Sequence, residues 1–118
     1  MRNSSNNIHS SNNYNGLGSF VAAYKATVNS CNWMYNEGIK RVDIFMDISF
    51  GVSLPGATAF FVASYKPKTS MGGILFKINN NLVCAGNNMI TISPNGNMTQ
   101  SGSGSCTQIS FMISYYYS

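Results

Sequence analysis

Between Arg41 and Phe50 the chain alternates in steps of two. Val42, Ile44, Met46, Ile48 and Phe50 form an apolar set, and Arg41, Asp43, Phe45, Asp47 and Ser49 form a mainly polar one. Side chains of a strand point to opposite faces in turn, so this pattern predicts a strand with one face in a core. The same period governs the C-terminus, where Ile109, Phe111, Ile113, Tyr115 and Tyr117 alternate with Ser110, Met112 and Ser114. A further strand is predicted over Phe20–Val28, with Phe20, Ala22, Tyr24, Ala26 and Val28 on one face, and another over Cys31–Tyr35. Ala57–Tyr65 is almost continuously apolar, as expected of a strand covered on both faces. Short strands are expected at Gly73–Ile78, Leu82–Ala85, Met89–Ser93 and Asn97–Gln100, before the last at Cys106–Tyr117.

Turn chemistry separates these segments. Asn36-Glu37-Gly38, Leu54-Pro55-Gly56, Lys66-Pro67-Lys68, Asn79-Asn80-Asn81, Gly86-Asn87-Asn88 and Ser101–Ser105 all carry residues that tolerate or impose turns. Asn95-Gly96 is the strongest hairpin signal, because a type I′ turn needs positive φ at both central residues. No segment sustains a 3.6-residue period. Short strands at regular spacing predict an all-β fold, an antiparallel β-sandwich of jelly-roll-like form.

Composition changes this picture in two places. Residues 1–19 are mostly Asn and Ser, with Ile8, Tyr14 and Leu17 as their large apolar groups, and are expected to form a flexible arm or linker before a domain over 20–118. Charged residues make up only 8% of the 118-residue chain, against roughly 25% in an average soluble domain. The polar surface must therefore be Asn, Ser, Thr and Gly, and part of the surface is expected to lie between subunits. The net charge of +4 comes from scattered cations, without the dense stripe of a nucleic-acid binder. Cys31, Cys84 and Cys106 are odd in number, which favours buried thiols over a disulfide framework. Neither a signal peptide nor a membrane-spanning run is apparent, so no membrane insertion is expected.

Catalytic and metal chemistry find little to work with. His9, the single histidine, falls in the Asn/Ser arm. Asp43 and Asp47 share a strand face but stand roughly 13 Å apart, too far for a glycosidase carboxylate pair. Partners such as Lys40 or Arg41, or a neighbouring subunit, explain them better. The cysteine spacing fits no zinc pattern, and no cofactor is expected. The chain reads as a non-enzyme.

Binding is what remains. The Phe residues fall in predicted strands and read as core, whereas Tyr offers a packing ring with a hydroxyl that wants a partner. Trp33 and Tyr35 share one strand face before a turn. With Tyr65, and with Asn87 and Asn88 as hydrogen-bonding groups, they form a candidate ligand surface of the kind on which sugar rings stack. Tyr115 and Tyr117 share a face of the last strand and, with Phe111, are candidates for an oligomer interface.

The order of features resembles the C-terminal receptor-binding head of tailed-phage tail fibres and of phage-derived particles. It is carried by a Trp before a turn, a long alternating strand, and Leu54-Pro55. There follow Tyr65-Lys66-Pro67-Lys68, Ile92-Ser93-Pro94-Asn95-Gly96-Asn97, a Gly/Ser loop, and a terminal Ile-Ser-Phe-Met-Ile-Ser-Tyr strand. The resemblance spans about Cys31 to Ser118. It implies a homotrimer of β-sandwich heads at a virion tail tip, assembled in the host cytoplasm and joined to the rest of the fibre. The implied receptor is a host cell-surface carbohydrate or protein. A capsid, decoration or filament subunit, and a free lectin or adhesin, are the open alternatives.

Overall fold

The computed structural model describes residues 8–83, 88–101 and 104–118. The protein is all-β and antiparallel. Among the described residues the strands are β1 (Ile8–Ser11), β2 (Gly18–Phe20), β3 (Ala26–Asn36), β4 (Arg41–Leu54), β5 (Ala59–Ala63), β6 (Met71–Ile78), β7 (Asn81–Leu82), β8 (Met89–Ile92), β9 (Asn97–Ser101) and β10 (Cys106–Tyr116). They form one sheet in the order β1-β3-β4-β10-β6-β8-β9-β5-β2, with β7 attached to β6.

That sheet doubles back on itself. In the strand order β5 lies five places from β4, yet Phe60 of β5 meets Phe50 of β4 and Phe111 of β10 edge-to-face, at centroid distances of 5.9 and 5.8 Å. The sandwich-like core is therefore built between two halves of one continuous sheet. Val42, Ile44, Met46 and Ile48 line one half, and Phe60, Phe61, Ile90, Ile92 and Met98 line the other, all buried. The alternation read in β4 is realised residue for residue, and the strand runs on through Gly51 to a buried Leu54. β10 lies at the centre, paired on one side with β4 and on the other with β6. Its Ile109, Phe111, Ile113 and Tyr115 are all at most 2% exposed. Side chains of this size contribute roughly 1.5–3 kcal/mol each when fully buried.

Several local expectations are corrected. The expected arm over 1–19 joins the fold from Ile8 onward: β1 pairs with β3, and Leu17 is completely buried. Few apolar side chains are needed there, because backbone pairing and single bonds supply the order. Ser64 N–H donates to the Leu17 carbonyl at 2.8 Å, and Trp33 Nε1–H donates to the Asn13 carbonyl at 2.8 Å. The strand expected over Phe20–Val28 is broken by a 3-10 turn at Ala22–Tyr24 that ends on Lys25 at φ 49°. β3 then continues without a gap through Cys31 to Asn36, with an irregularity between Val28 and Ser30. Cys31 and Cys106 are buried free thiols. Burial raises the pKa of each. Cys84 and Ala85, placed in a short strand with Leu82, lie outside the described residues.

The turns also differ from expectation. Asn95 does not take positive φ; Gly96 alone does, at 91°. Gly96 N–H donates to the Ser93 carbonyl at 2.8 Å, so Pro94 and Asn95 are the central residues and Gly96 closes a three-residue loop. A two-residue loop would make Pro94 the closing partner of Asn97, but proline has no N–H to donate there. Ser93 N–H donates to the Asn97 carbonyl at 3.0 Å instead. A Cβ on Gly96 would also lie 2.4 Å from the Ala63 carbonyl oxygen. The pair with positive φ at both centres is Asn79-Asn80, at 52° and 65°, between the paired Ile78 and Asn81. That is the type I′ geometry.

Gly73 tests how closely β6 lies against β10. A Cβ there would fall 2.5 Å from the Met112 carbonyl oxygen and 2.6 Å from Ile113 Cβ. Gly73→Ala is expected to lose about 1–3 kcal/mol in urea denaturation. Gly104→Ala, where nothing lies within 4 Å of the added carbon, is expected to stay within roughly 0.5 kcal/mol of the parent.

Candidate functional site

At the end of the sheet where the β3–β4 hairpin turns, aromatic rings from four segments converge. Trp33 and Tyr35 project from the same face of β3, as period 2 requires. Tyr65 follows β5, and Tyr117 follows β10. Ring centroids are 5.7 Å apart for Trp33–Tyr35, 5.7 Å for Trp33–Tyr65, 5.2 Å for Tyr35–Tyr65 and 4.9 Å for Tyr65–Tyr117. His9 extends the row from β1, stacked on Tyr35 at 4.7 Å with its Nε2 3.3 Å from Glu37 Oε1. Such pairs contribute about 0.5–1.5 kcal/mol beyond area burial. Trp33 is buried beneath the row, while Tyr35, Tyr65 and Tyr117 are half-buried and leave ring surface to solvent.

Polar contacts fix the rings. Tyr115 Oη donates to the Tyr65 carbonyl at 2.7 Å. Tyr117 N–H donates to the Lys40 carbonyl at 2.8 Å, and Pro67 makes a β-bridge with Tyr117. Desolvation, followed by the neighbouring Tyr35 and Tyr117 and the charge of Glu37, pushes the Tyr65 phenol up to about 12. The Tyr65 hydroxyl is thus a neutral donor and acceptor near neutral pH.

The sequence-predicted residues separate into three groups. Trp33, Tyr35 and Tyr65 are brought together. Asn88 precedes β8, four strands along the sheet from β3, and Asn87 lies outside the described residues. Phe111 and Tyr115, expected at an oligomer interface, are instead enclosed by the chain's own core, at 0% and 2% exposure. Of that set only Tyr117 keeps accessible surface, and it belongs to the aromatic row. His9, expected in a solvated arm, was missed; its sequence surroundings carry no apolar signal.

Beside Tyr117 opens a groove of about 510 Å³, lined by Lys40, Pro67, Lys68, Thr69, Tyr116 and Tyr117 among others. Tyr116 points to the opposite face from Tyr115 and Tyr117, and the Arg41 guanidinium lies 5.8 Å from its ring centroid. Arg41 is itself held by Asp43 at 3.2 Å.

The outer face of β4 and its neighbours carries a second feature. Register places Phe45 opposite Met112, Met112 opposite Ile74, and Ile74 opposite Met89, an apolar row across four strands. Phe76 stacks on Phe45 at 5.9 Å, while Ile74 is 66% and Met112 53% exposed. Next to this row a groove of about 730 Å³ is walled by Ser10, Ser11 and Asn12 and floored by Met34, Phe45 and Met112. The alternation along Arg41–Phe50 alone predicts a mainly polar face here.

Asp43 and Asp47 have separate partners. Asp43 pairs with Arg41 two residues away on its own strand and accepts from Ser114 Oγ. Asp47 accepts from Asn29 Nδ2 at 2.9 Å, Gln108 Nε2 at 3.1 Å and Ser110 Oγ at 2.9 Å. Among the described residues no group of three His, Cys, Asp or Glu side chains converges as metal ligands. No protein-family model, curated protein or solved structure matches the chain.

Burial raises the Asp47 pKa, but the Asn29, Gln108 and Ser110 bonds and the Lys77 charge outweigh it, so the carboxyl sits below its ordinary value. A depressed folded-state pKa stabilises above the unfolded value, near 4, and that stability is lost as pH falls through the folded value. Chemical denaturation at a series of pH values between about 6 and 2 is expected to show falling stability below about pH 4. Asp47→Asn, already uncharged, is expected to flatten that fall.

Proposed function

We propose that the protein is a non-catalytic attachment module of the kind carried at a phage tail tip, binding a saccharide on a host-cell surface. The supporting observation is the row His9–Tyr35–Tyr65–Tyr117 over Trp33. Half-exposed rings that carry hydroxyls match the alternating C–H and O–H surface of a sugar, because the rings cover the C–H face while hydroxyls and backbone groups meet the O–H edge. The neutral, Asn- and Ser-rich surface supports the same reading, since it offers hydrogen bonds without strong charge.

Self-association forms part of the proposal. The homotrimer implied by the resemblance would close over the outer apolar row, not over Phe111 and Tyr115. A contiguous apolar row such as Phe45–Met112–Ile74–Met89, exposed at its last three members, marks contact surfaces more often than free ones. The same row favours a second reading, a packing subunit of a shell or filament. Electron microscopy separates the two, because spontaneous assembly of the pure protein into shells or fibres contradicts the attachment-module reading.

Binding to a printed panel of bacterial surface saccharides is expected for the parent. Tyr35→Ala is expected to weaken it about tenfold, roughly 1.4 kcal/mol, while circular dichroism stays native. An unchanged profile for Tyr35→Ala would remove the aromatic row from the account. Sedimentation velocity at micromolar concentration is expected to give a species near three times the 12.8 kDa chain mass, and Met112→Glu to give the monomer. A parent that is already monomeric contradicts the trimer.

A further inference from the structure

We infer that the groove beside Tyr117 selects saccharides bearing an anionic group, so that the receptor is an acidic glycan; this rests on the saccharide reading of the aromatic row. The groove is continuous with that row through Tyr117, so a chain of sugar rings stacked on Tyr65 and Tyr117 would run directly into it. Its walls carry Lys40 and Lys68, both exposed, and among the described residues neither forms an ion pair. Of the acids at this end of the sheet, Asp43 holds Arg41 and accepts from Ser114, and Glu37 contacts His9 of β1, although its charge also acts at Tyr117.

The backbone keeps the two lysines on one groove. Lys40 stands in the left-handed region at φ 54°, and its carbonyl accepts the Tyr117 N–H at 2.8 Å. On the other side, Pro67 is buried and bridged to Tyr117, and the neighbouring Lys66 carbonyl accepts the Ser118 N–H at 3.0 Å. The loop carrying Lys68 is thereby tied to the same strand end that carries Lys40. Fixed attachment points, two unpaired cations and a neighbouring tyrosine hydroxyl suit a carboxylate displayed on a sugar ring, because an anion bound there meets charge without displacing an existing pair. The Tyr116 ring, held under Arg41, supplies an apolar wall for the ring that bears the acid.

The test is an array of uronate- and sialate-bearing oligosaccharides printed beside the same uronates with carboxyls reduced to primary alcohols, probed with the full chain. The expected result is binding to acidic members, a loss of about tenfold on carboxyl reduction, and a similar loss for the Lys40→Gln/Lys68→Gln double variant. Weakening as salt rises from about 50 to 500 mM is also expected. Both lysine side chains are exposed, so the double variant should keep the parent's thermal midpoint, and Lys25→Gln away from the groove should bind as the parent does. Equal binding to acidic and reduced forms, or a double variant that binds as well as the parent, overturns the anionic selection while leaving saccharide attachment standing. Absence of binding to every printed saccharide overturns both.

Discussion

Strand β10 lies between β4 and β6, and its register with β4 is unbroken from Gln108–Ser49 to Tyr116–Arg41. The last residues of the chain thus close the middle of the sheet rather than an edge. Non-local pairing of this kind carries a loop-closure cost that burial of Ile109, Phe111, Ile113 and Tyr115 must offset. Once the strand is in place, its end organises the aromatic row and the groove beside it. Tyr115 bonds the carbonyl of Tyr65, Tyr117 bonds that of Lys40, and Ser118 bonds that of Lys66. One strand end thereby holds the β3–β4 hairpin and the segment after β5 together, and the aromatic row and the lysine groove are both products of that clasp.

The same strand divides the molecule's polar chemistry. Its inward face is apolar apart from the Tyr115 hydroxyl, which is satisfied by the Tyr65 carbonyl. Its outward face alternates Ser110 and Ser114, which serve Asp47 and Asp43, with the exposed Met112. Gln108 joins Asp47 and Ser110, and its Oε1 accepts from the Asn80 N–H at 2.6 Å, linking the Asn79-Asn80 turn to the sheet. A chain with 8% charged residues therefore spends its few acids on internal order, which leaves neutral groups and a handful of lysines on its surface.

Legibility in the sequence followed burial. β4 and β10 each bury one face, so their period was visible, as was the nearly continuous apolar run that became β5. β1 was invisible because Ile8, His9, Ser10 and Ser11 are ordered by backbone pairing on a largely exposed edge, not by apolar side chains. Period 2 placed Phe111 and Tyr115 on one face of the last strand without saying what covers that face; the doubled-back half of the sheet does. Trp33, Tyr35 and Tyr65 could be named from their type and spacing, but their meeting with Tyr117 and His9 depends on strand order, which no local pattern encodes. Pro94 decided the Asn95-Gly96 turn against the type I′ form.

The proposed attachment function requires ligand to meet the protein on the aromatic row and the adjoining groove. A 1H–15N NMR titration with an acidic cell-surface oligosaccharide locates the contact directly. Shifts are predicted to concentrate at the amides of His9, Tyr35, Lys40, Tyr65, Lys68 and Tyr117, with the Trp33 indole moving through its packing on Tyr35 and Tyr65. Shifts confined to the outer face around Phe45, Ile74 and Met112, or none at saturating ligand, would contradict it.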